Sequence, residues 1–598
     1  MRAPDWKEVL PAPPPGARLH EAWMTSFERP DTSLMVEYLL PSLLGTGRSF
    51  SQEPQERNLF FAELGTALEA LHGRLTVISS PPHETREALQ YPWLWRYMSH
   101  FTVGAESHAV QHAKLWVFHW KAADEERLEL HVSSTNLTES AFKQQLQAGW
   151  QVSLRLDQRT SLRTSKTWGT LVPFLEALSK SAGAVAATRL QRLVTLLGRV
   201  ECPDDVTFVA SIPGDRNAAR QLKQFDVSEI HVLTPTIGEW NDRTLSAWSS
   251  DVGIAPGKIH LKWISVKHPW ASTSGWSLST TTSEALEASG VRLECLSNEA
   301  RLAEQHLNED PRWSHAKLYL LRSRRKRRLL VTSANWSLSA WGAGKISPRN
   351  FELGVVFGSE WTDLEAIGEP FDPPGIVPFC VDCTDDGART SVLEWGEASW
   401  DGQRIQLRAR SSDYSTPITV TVTFIGCPEK GLTLGDGAGA MEWKNPESPP
   451  LIARIAQGNE MLEVDVIDLR PPAEFAKTPL PEVDPAIAAE LRDAFLLQRY
   501  GGPAVDVDTI PGRVGQRGSS GIAPPATDYT VPAWVAARAA FSVIDQWRSA
   551  LEEARSEPLL LERVRLDGKE LRALYERREG AGAGLVVEEL GWRNDEEA

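Results

Sequence analysis

One constellation occurs twice in this chain, and nothing else in the sequence limits the fold as strongly. The first copy is His112-Ala113-Lys114 entering the apolar run LWVF, then Ser133-Ser134-Thr135-Asn136-Leu137-Thr138, then Gln147-Ala148-Gly149. The second is His315-Ala316-Lys317 entering LYLL, then Thr332-Ser333-Ala334-Asn335-Trp336-Ser337, then Glu352-Leu353-Gly354. The His-to-Asn separations are 24 and 20 residues. His-x-Lys alone carries no information. It also occurs at His119-Trp120-Lys121 and His260-Leu261-Lys262, where the later elements do not follow in register, and those copies read as structural. An ordered set that recurs predicts a duplicated unit.

The spacing suits a hairpin in each unit. The midpoints fall in KAADEER (121–127) and RSRRKRR (322–328), both polar, as hairpin tips are. His, Lys and Asn then lie at the end away from the tip. Strand alternation puts His and Lys on one face. Two such units meeting about a pseudo-twofold axis form one pocket.

Around these hairpins helical and strand patterns alternate, which favours layered α/β structure. Strands are expected at 22–27, Leu75–Ser79, Thr207–Ile212 and Glu229–Leu233. Helices are expected at 32–44 (with Asp31 as N-cap and Pro41 as a break or kink), 58–72, 168–179, 187–197 and 216–225. The predicted organisation is two pseudo-symmetric α/β/α lobes at 1–200 and 201–368, and a Pro-rich linker at 369–384. A β-rich, sandwich-like domain follows at 385–481, because 403–410, 416–425 and 460–468 alternate polar and apolar residues. The mainly helical remainder is 482–598, with a Gly- and Pro-rich loop at 500–532.

The pocket suits phosphodiester transfer. Lys114 and Lys317 neutralise the equatorial oxygens, and Asn136 and Asn335 donate hydrogen bonds to them. One neutral imidazole attacks phosphorus and the other gives a proton to the leaving oxygen. The lysines supply the positive charge, so neither metal nor cofactor is expected. No His or carboxylate run has metal-ligand spacing, and Cys380-Val-Asp-Cys383 lacks a partner pair and reads as structural.

These residues resemble the phospholipase D superfamily. Its usual pattern has Asp five residues after the Lys, where this chain has His119 and Arg322. That departure resembles the tyrosyl-DNA phosphodiesterase branch, as do LLVTSANWSLSAWG (329–342), NFELGVVF (350–357) and Val209-Ala-Ser211-Ile-Pro-Gly214. The first copy continues with Phe142, Gln144 and Gln147 at matching places. The resemblance covers about residues 20–360. It implies that His112 is the nucleophile, His315 the general acid and then base, Glu352 the support of His112, and Gln147 the support of His315. Ser211, His108, Ser333 and Ser337 are the substrate contacts it suggests. The chain departs from the branch at Leu338, where a phosphate-holding Lys is usual, and at His108, where an aromatic is usual.

The chain has 598 residues and a net charge of −16, so any nucleic-acid site is a local patch. The run Arg322, Arg324, Arg325, Lys326, Arg327 and Arg328 holds a distal duplex arm, binds a partner protein or is a solvated tip. Turn 214–217 either binds phosphate or only turns. Five cysteines, with no apolar signal segment and no membrane-length apolar run, suit a cytoplasmic protein that does not meet membrane. The reading favoured is a metal-independent DNA phosphodiesterase or nuclease, in repair or defence, with the C-terminal domains open to a protein partner. Its rivals are a lipid phosphodiesterase and a non-catalytic scaffold.

Overall fold

The computed structural model describes the chain apart from residues 1–9, 81–89, 104–108, 157–167, 264–277, 297–312, 371–391, 445–449, 476–492, 502–532, 578–598 and shorter stretches of one to three residues. His108, Arg325, Cys380, Cys383, most of the expected linker and most of the 500–532 loop lie outside the described residues. Residues 1–67 with 74–472 form one compact unit, and residues 68–73 with 473–598 form another.

The first part of the larger unit contains β1 (Arg18–Thr25), β2 (Leu75–Ser79), β3 (Met98–Thr102), β4 (Val110–Gln111), β5 (Leu115–Lys121), β6 (Glu126–Ser133), β7 (Gln145–Leu146) and β8 (Gly149–Arg155). There follow β9 (Thr207–Ser211), β10 (Glu229–Thr234), β11 (Ile259–Trp263), β12 (Arg292–Leu296), β13 (Trp313–Ser314), β14 (Leu318–Arg322), β15 (Arg327–Thr332), β16 (Asn350–Gly358) and β17 (Gly368–Pro370). One sheet has the order β3-β2-β1-β5-β6-β8, and the other contains β12-β11-β10-β14-β15-β16. The directions also match. Three strands run parallel in each, and the other three continue antiparallel. The duplicated sequence therefore builds the same six-stranded arrangement twice.

Both expected hairpins form. Lys121 pairs with Glu126 at one tip and Arg322 with Arg327 at the other. The motif glycines pair with the residue that opens each Asn segment, Gly149 with Ser133 and Gly354 with Thr332. A Cβ on Gly354 would sit 2.6 Å from Leu330 Cδ1 and 2.8 Å from Thr332 Cβ. The glycine is therefore a packing requirement of β16.

Helices Leu171–Ala182 and Ala184–Leu197 share one apolar core with both sheets. Leu115, Leu128 and Leu130 from the first sheet meet Phe174, Leu178 and Leu190 there, as do Phe351 and Leu353 from the second. This common core holds the edges that carry the two repeated motifs in register.

Asp31 caps the next segment by accepting from Ser33 N, as its sequence suggests. Pro41 does not break that helix. Residues Met35–Leu39 widen into one π-helical stretch just before it, and the chain runs on to a left-handed Gly45. The wider turn accommodates the missing proline N–H.

The β-rich part contains β18 (Leu393–Trp400), β19 (Arg404–Ser411), β20 (Ile418–Phe424), β21 (Cys427–Leu434), β22 (Ala438–Glu442), β23 (Pro450–Gln457) and β24 (Glu460–Asp468). They form one seven-stranded sheet, β21-β20-β23-β24-β18-β19-β22. Its edges, β21 and β22, are consecutive in the chain and bridge at Gly435 and Ala438, so the sheet nearly closes on itself. The sequence suggested two stacked sheets. Alternation shows that one face is buried, and it does not say whether a second sheet or the curl of the first buries it.

In the smaller unit, helices Ala533–Ala554 and Pro558–Arg577 pack around Leu496, Tyr500, Trp547, Leu551 and Leu571. Buried Asp567 accepts from Arg499 and from the Tyr500 hydroxyl at 2.7 Å. Among the described residues, no helix is long and apolar enough to cross a membrane.

Gly354→Ala should destabilise the larger unit by about 1–3 kcal/mol through overpacking. Gly149→Ala, whose Cβ would meet Ser133 Cβ at 3.4 Å, should cost less than about 1 kcal/mol. Denaturant unfolding followed by tryptophan fluorescence compares the two, and equal midpoints would contradict the packing account.

Candidate functional site

Each half lends its histidine to the other. The His112 backbone N–H donates to Phe351 O at 3.0 Å, and the His315 N–H donates to Leu146 O at 2.8 Å. The acceptors immediately precede Glu352 and Gln147. Short parallel pairings frame these bonds, β4 with β16 and β13 with β7. His112 Nδ1 then lies 2.8 Å from Glu352 Oε2, and His315 Nδ1 lies 3.4 Å from Gln147 Oε1. The two contacts are related as the two halves are, with a carboxylate in one place and an amide in the other.

Glu352 is only 2 % exposed. Burial raises its pKa, but His112, Lys114 and the Ser333 hydroxyl outweigh that and hold it below the ordinary value. As an ionised acceptor it fixes the proton on His112 Nδ1 and leaves the Nε2 lone pair free. Asn350 Nδ2 donates to its other oxygen at 2.9 Å. Gln147 is fixed from both ends. Its Nε2 donates to Gln145 Oε1 at 2.7 Å, and its Oε1 accepts from Ser134 Oγ at 2.6 Å.

Lys114 and Lys317 are buried. Each Nζ donates to the carbonyl of the histidine two residues before it, at 2.7 Å and 3.0 Å. Lys317 Nζ also lies 2.8 Å from His315 Nε2. Burial brings Lys114 down to about 8, against the pull of Glu352 and Glu28. Burial, then Lys114, depresses Lys317 well below the usual range. His112 falls to about 4, chiefly through burial, with Glu352 pulling it up and Lys114 and Lys317 pushing it down. His315 falls well below its ordinary value through burial, Lys317, Lys114 and His112. Residues from both copies therefore share one electrostatic site that gathers four basic groups.

Asn136 and Asn335 follow the hairpins, and each precedes a fully buried apolar residue, Leu137 or Trp336. Trp336 stacks on Trp240 at 4.6 Å between ring centres and so anchors its segment. Asn136 Oδ1 accepts from Phe27 N, and its Nδ2 donates to Glu28 Oε1 at 3.1 Å. Asn335 Oδ1 and Ser211 Oγ are buried, without a hydrogen-bond partner among the described residues. Ser211 pairs with Glu352, the partner of His112, across β9 and β16. The other two serines have structural jobs. Ser333 Oγ donates to Glu352, and Ser337 Oγ caps helix Leu338–Trp341 by accepting from Ala340 N.

Sequence reasoning missed Ser134, the counterpart of Ser333, although its place in the repeat was visible. It also missed Phe27, whose ring lies edge-on to His112 at 5.1 Å, and Glu28. Their neighbour Arg29 pairs with Glu397 of the β-rich sheet at 3.0 Å. No pattern links residues so far apart in the chain.

Other residues do not join the site. His119 pairs with Glu126, and Arg322 with Glu229 and Glu365, all toward the hairpin tips. Arg327 also pairs with Glu365, and Arg328 lies over the Phe225 ring, so much of the basic run is internally engaged. The sequence shows no run with metal-ligand spacing, yet folding gathers Glu229, His231 and His260 within 4.8 Å of one another.

In the free protein His112 should titrate near pH 4, far below the ordinary value of about 6.5. Glu352→Gln removes the charge that raises it, so the midpoint should fall further. NMR of carbon-13-labelled histidine checks this; an unchanged or higher midpoint would contradict the assignment of causes.

Residues 262–409, about a quarter of the chain, match the family model described as tyrosyl-DNA phosphodiesterase. No curated protein sequence matches. Among solved structures, the yeast tyrosyl-DNA phosphodiesterase is 16 % identical, with a TM-score of 0.40 over 59 % of this chain and 86 % of that one. A polyphosphate kinase from Porphyromonas gingivalis is 11 % identical, with a TM-score of 0.27 over 60 % of this chain and 43 % of that one. The family match takes in His315, Lys317, Asn335 and Glu352, and over those residues the chain is similar to the tyrosyl-DNA phosphodiesterase family, the branch that its paired constellation resembles.

Proposed function

We propose that the chain is a phosphodiesterase of the phospholipase D type acting on DNA, at 3′ ends or 3′ adducts, through a covalent phosphohistidine. The reciprocal exchange of histidine partners carries this reading, because it gives two differently supported imidazoles beside two buried lysines. His112, with its proton fixed on Nδ1 by Glu352, presents Nε2 as nucleophile. It forms the N–P bond as the P–O bond to the leaving group breaks, and His315 gives its proton to the leaving oxygen. Water then attacks phosphorus, His315 takes the proton from that water, and the N–P bond breaks.

The free pocket disfavours a protonated His315. A phosphodiester anion between Lys114 and Lys317 reverses that field, so His315 holds its proton when substrate is bound. The two lysines, with Asn335 and Asn136, stabilise charge on the equatorial oxygens without a divalent cation in the step. Ser211 supplies a further phosphate contact. The local chemistry accepts any phosphodiester; the choice of DNA rests on the family resemblance.

An oligonucleotide carrying a 3′-p-nitrophenyl phosphodiester tests the assignment with no divalent cation added. His315→Ala should release one equivalent of nitrophenolate per chain, because that leaving group needs no proton, and then stall with a phosphorylated residue at His112. His112→Ala should release none. Full turnover by His112→Ala, or a stalled adduct elsewhere, would overturn it.

The kcat/KM of the native chain should decline as pH rises through about 8, where Lys114 loses its proton in the free protein. A flat profile to pH 10 would remove Lys114 from the phosphate site.

A further inference from the structure

Glu229 and His231 lie two apart on β10, and His260 lies on the neighbouring parallel strand β11, directly opposite His231. Their side chains share a sheet face and converge. Glu229 Oε1 is 3.2 Å from His231 Nε2 and 3.0 Å from His260 Nε2. The two imidazoles stack at 4.4 Å between centres with 17° between planes. His231 is only 5 % exposed, yet neither of its ring nitrogens makes an aligned hydrogen bond. A buried imidazole without an aligned hydrogen bond at either nitrogen is costly unless something else binds it.

The geometry points to a first-row divalent cation, zinc by its donor set, held by His231 Nε2, His260 Nε2 and Glu229 Oε1. Two ligand atoms on a tetrahedral zinc shell of about 2.0–2.1 Å lie about 3.3 Å apart, close to the two Glu229–histidine separations here. Two neutral imidazoles and one carboxylate suit zinc and leave a fourth position for water. The neighbours orient the ligands. Arg322 Nη1 holds the other Glu229 oxygen at 3.3 Å, which turns Oε1 toward the rings. Glu294 lies 4.0 Å from His260 Nδ1, on the far side of the ring from the ligating nitrogen, and also binds Lys262.

The ion would tie β10 to β11 near the hairpin-tip end of the second sheet. His231 pairs with Leu320 on β14, five residues after His315 in the chain, so the site is roughly 16 Å from the candidate pocket. The ion would therefore sit apart from that pocket, and the proposal does not rest on the proposed phosphodiesterase activity.

The test uses the full chain, freed of metal with a chelator and titrated with zinc alone against a chromophoric competitor. Wild type should bind one equivalent and melt at a higher temperature with zinc than without. His260→Gln and, separately, His231→Asn should weaken that binding by about 100-fold or more, since even outer-shell changes cost 10–100-fold. A Cys380→Ser/Cys383→Ser double variant should keep it. Cobalt should give visible tetrahedral bands without a thiolate charge-transfer band. Binding unchanged in both histidine variants, binding lost in the cysteine variant, or no zinc retained by wild type would each overturn the site.

Discussion

Two backbone hydrogen bonds hold the candidate site together: His112 N–H to Phe351 O and His315 N–H to Leu146 O. Each stitches the segment that carries one histidine to the segment that carries the opposite half's polar support. Side chains alone would not keep imidazoles aligned with a buried carboxylate or amide, because every long side chain retains rotamer freedom. The backbone bonds fix where Nδ1 begins, and Glu352 and Gln147 then set where it points. Moving one half against the other would break both pairs at once.

Burial gives these contacts their chemical effect. In water, Lys114, Lys317, His112 and His315 would be four ordinary bases. In the packed interior each loses solvation, and the cations oppose one another, so every one of them falls below its usual pKa. Glu352 is the counterweight, held ionised despite burial. A site of this kind favours an incoming anion, because the anion removes the repulsion that the fold imposes. The asymmetry between Glu352 and Gln147 then separates two otherwise equivalent histidines, one facing a carboxylate that fixes its tautomer and one facing an uncharged amide.

The scaffold supplies precision through apolar contacts close to each polar group. Leu137 and Trp336 plug into the core directly after the two asparagines. Gly354 lets Thr332 and Leu330 close over β16, two residues from Glu352. Helices at 171–197 sit in a core shared by both sheets, so the edges that carry the site are supported from behind by one continuous body. The loop after β1 adds Phe27 against His112 and Glu28 against Asn136, and its next residue, Arg29, is tied to the β-rich sheet. That sheet therefore bears on the position of the first asparagine.

The linear order of His, Lys, Asn and Gln or Glu determined that two like units exist and which of their residues are chemically special. Alternation and polar tips determined the two hairpins, and Asp31 marked a helix start, because these signals act over a few residues and are written locally. Tertiary structure decided that partners are exchanged between halves, since Glu352 lies 240 residues from His112 and no local periodicity spans that distance. It also decided that the β-rich strands curl into one sheet, because alternation names a buried face without naming what covers it. Folding assigned Ser333 and Ser337 to support and capping, because a hydroxyl takes whichever donor or acceptor packing brings near. It brought His231 and His260 side by side, since strands 29 residues apart in sequence become neighbours only when the parallel sheet forms.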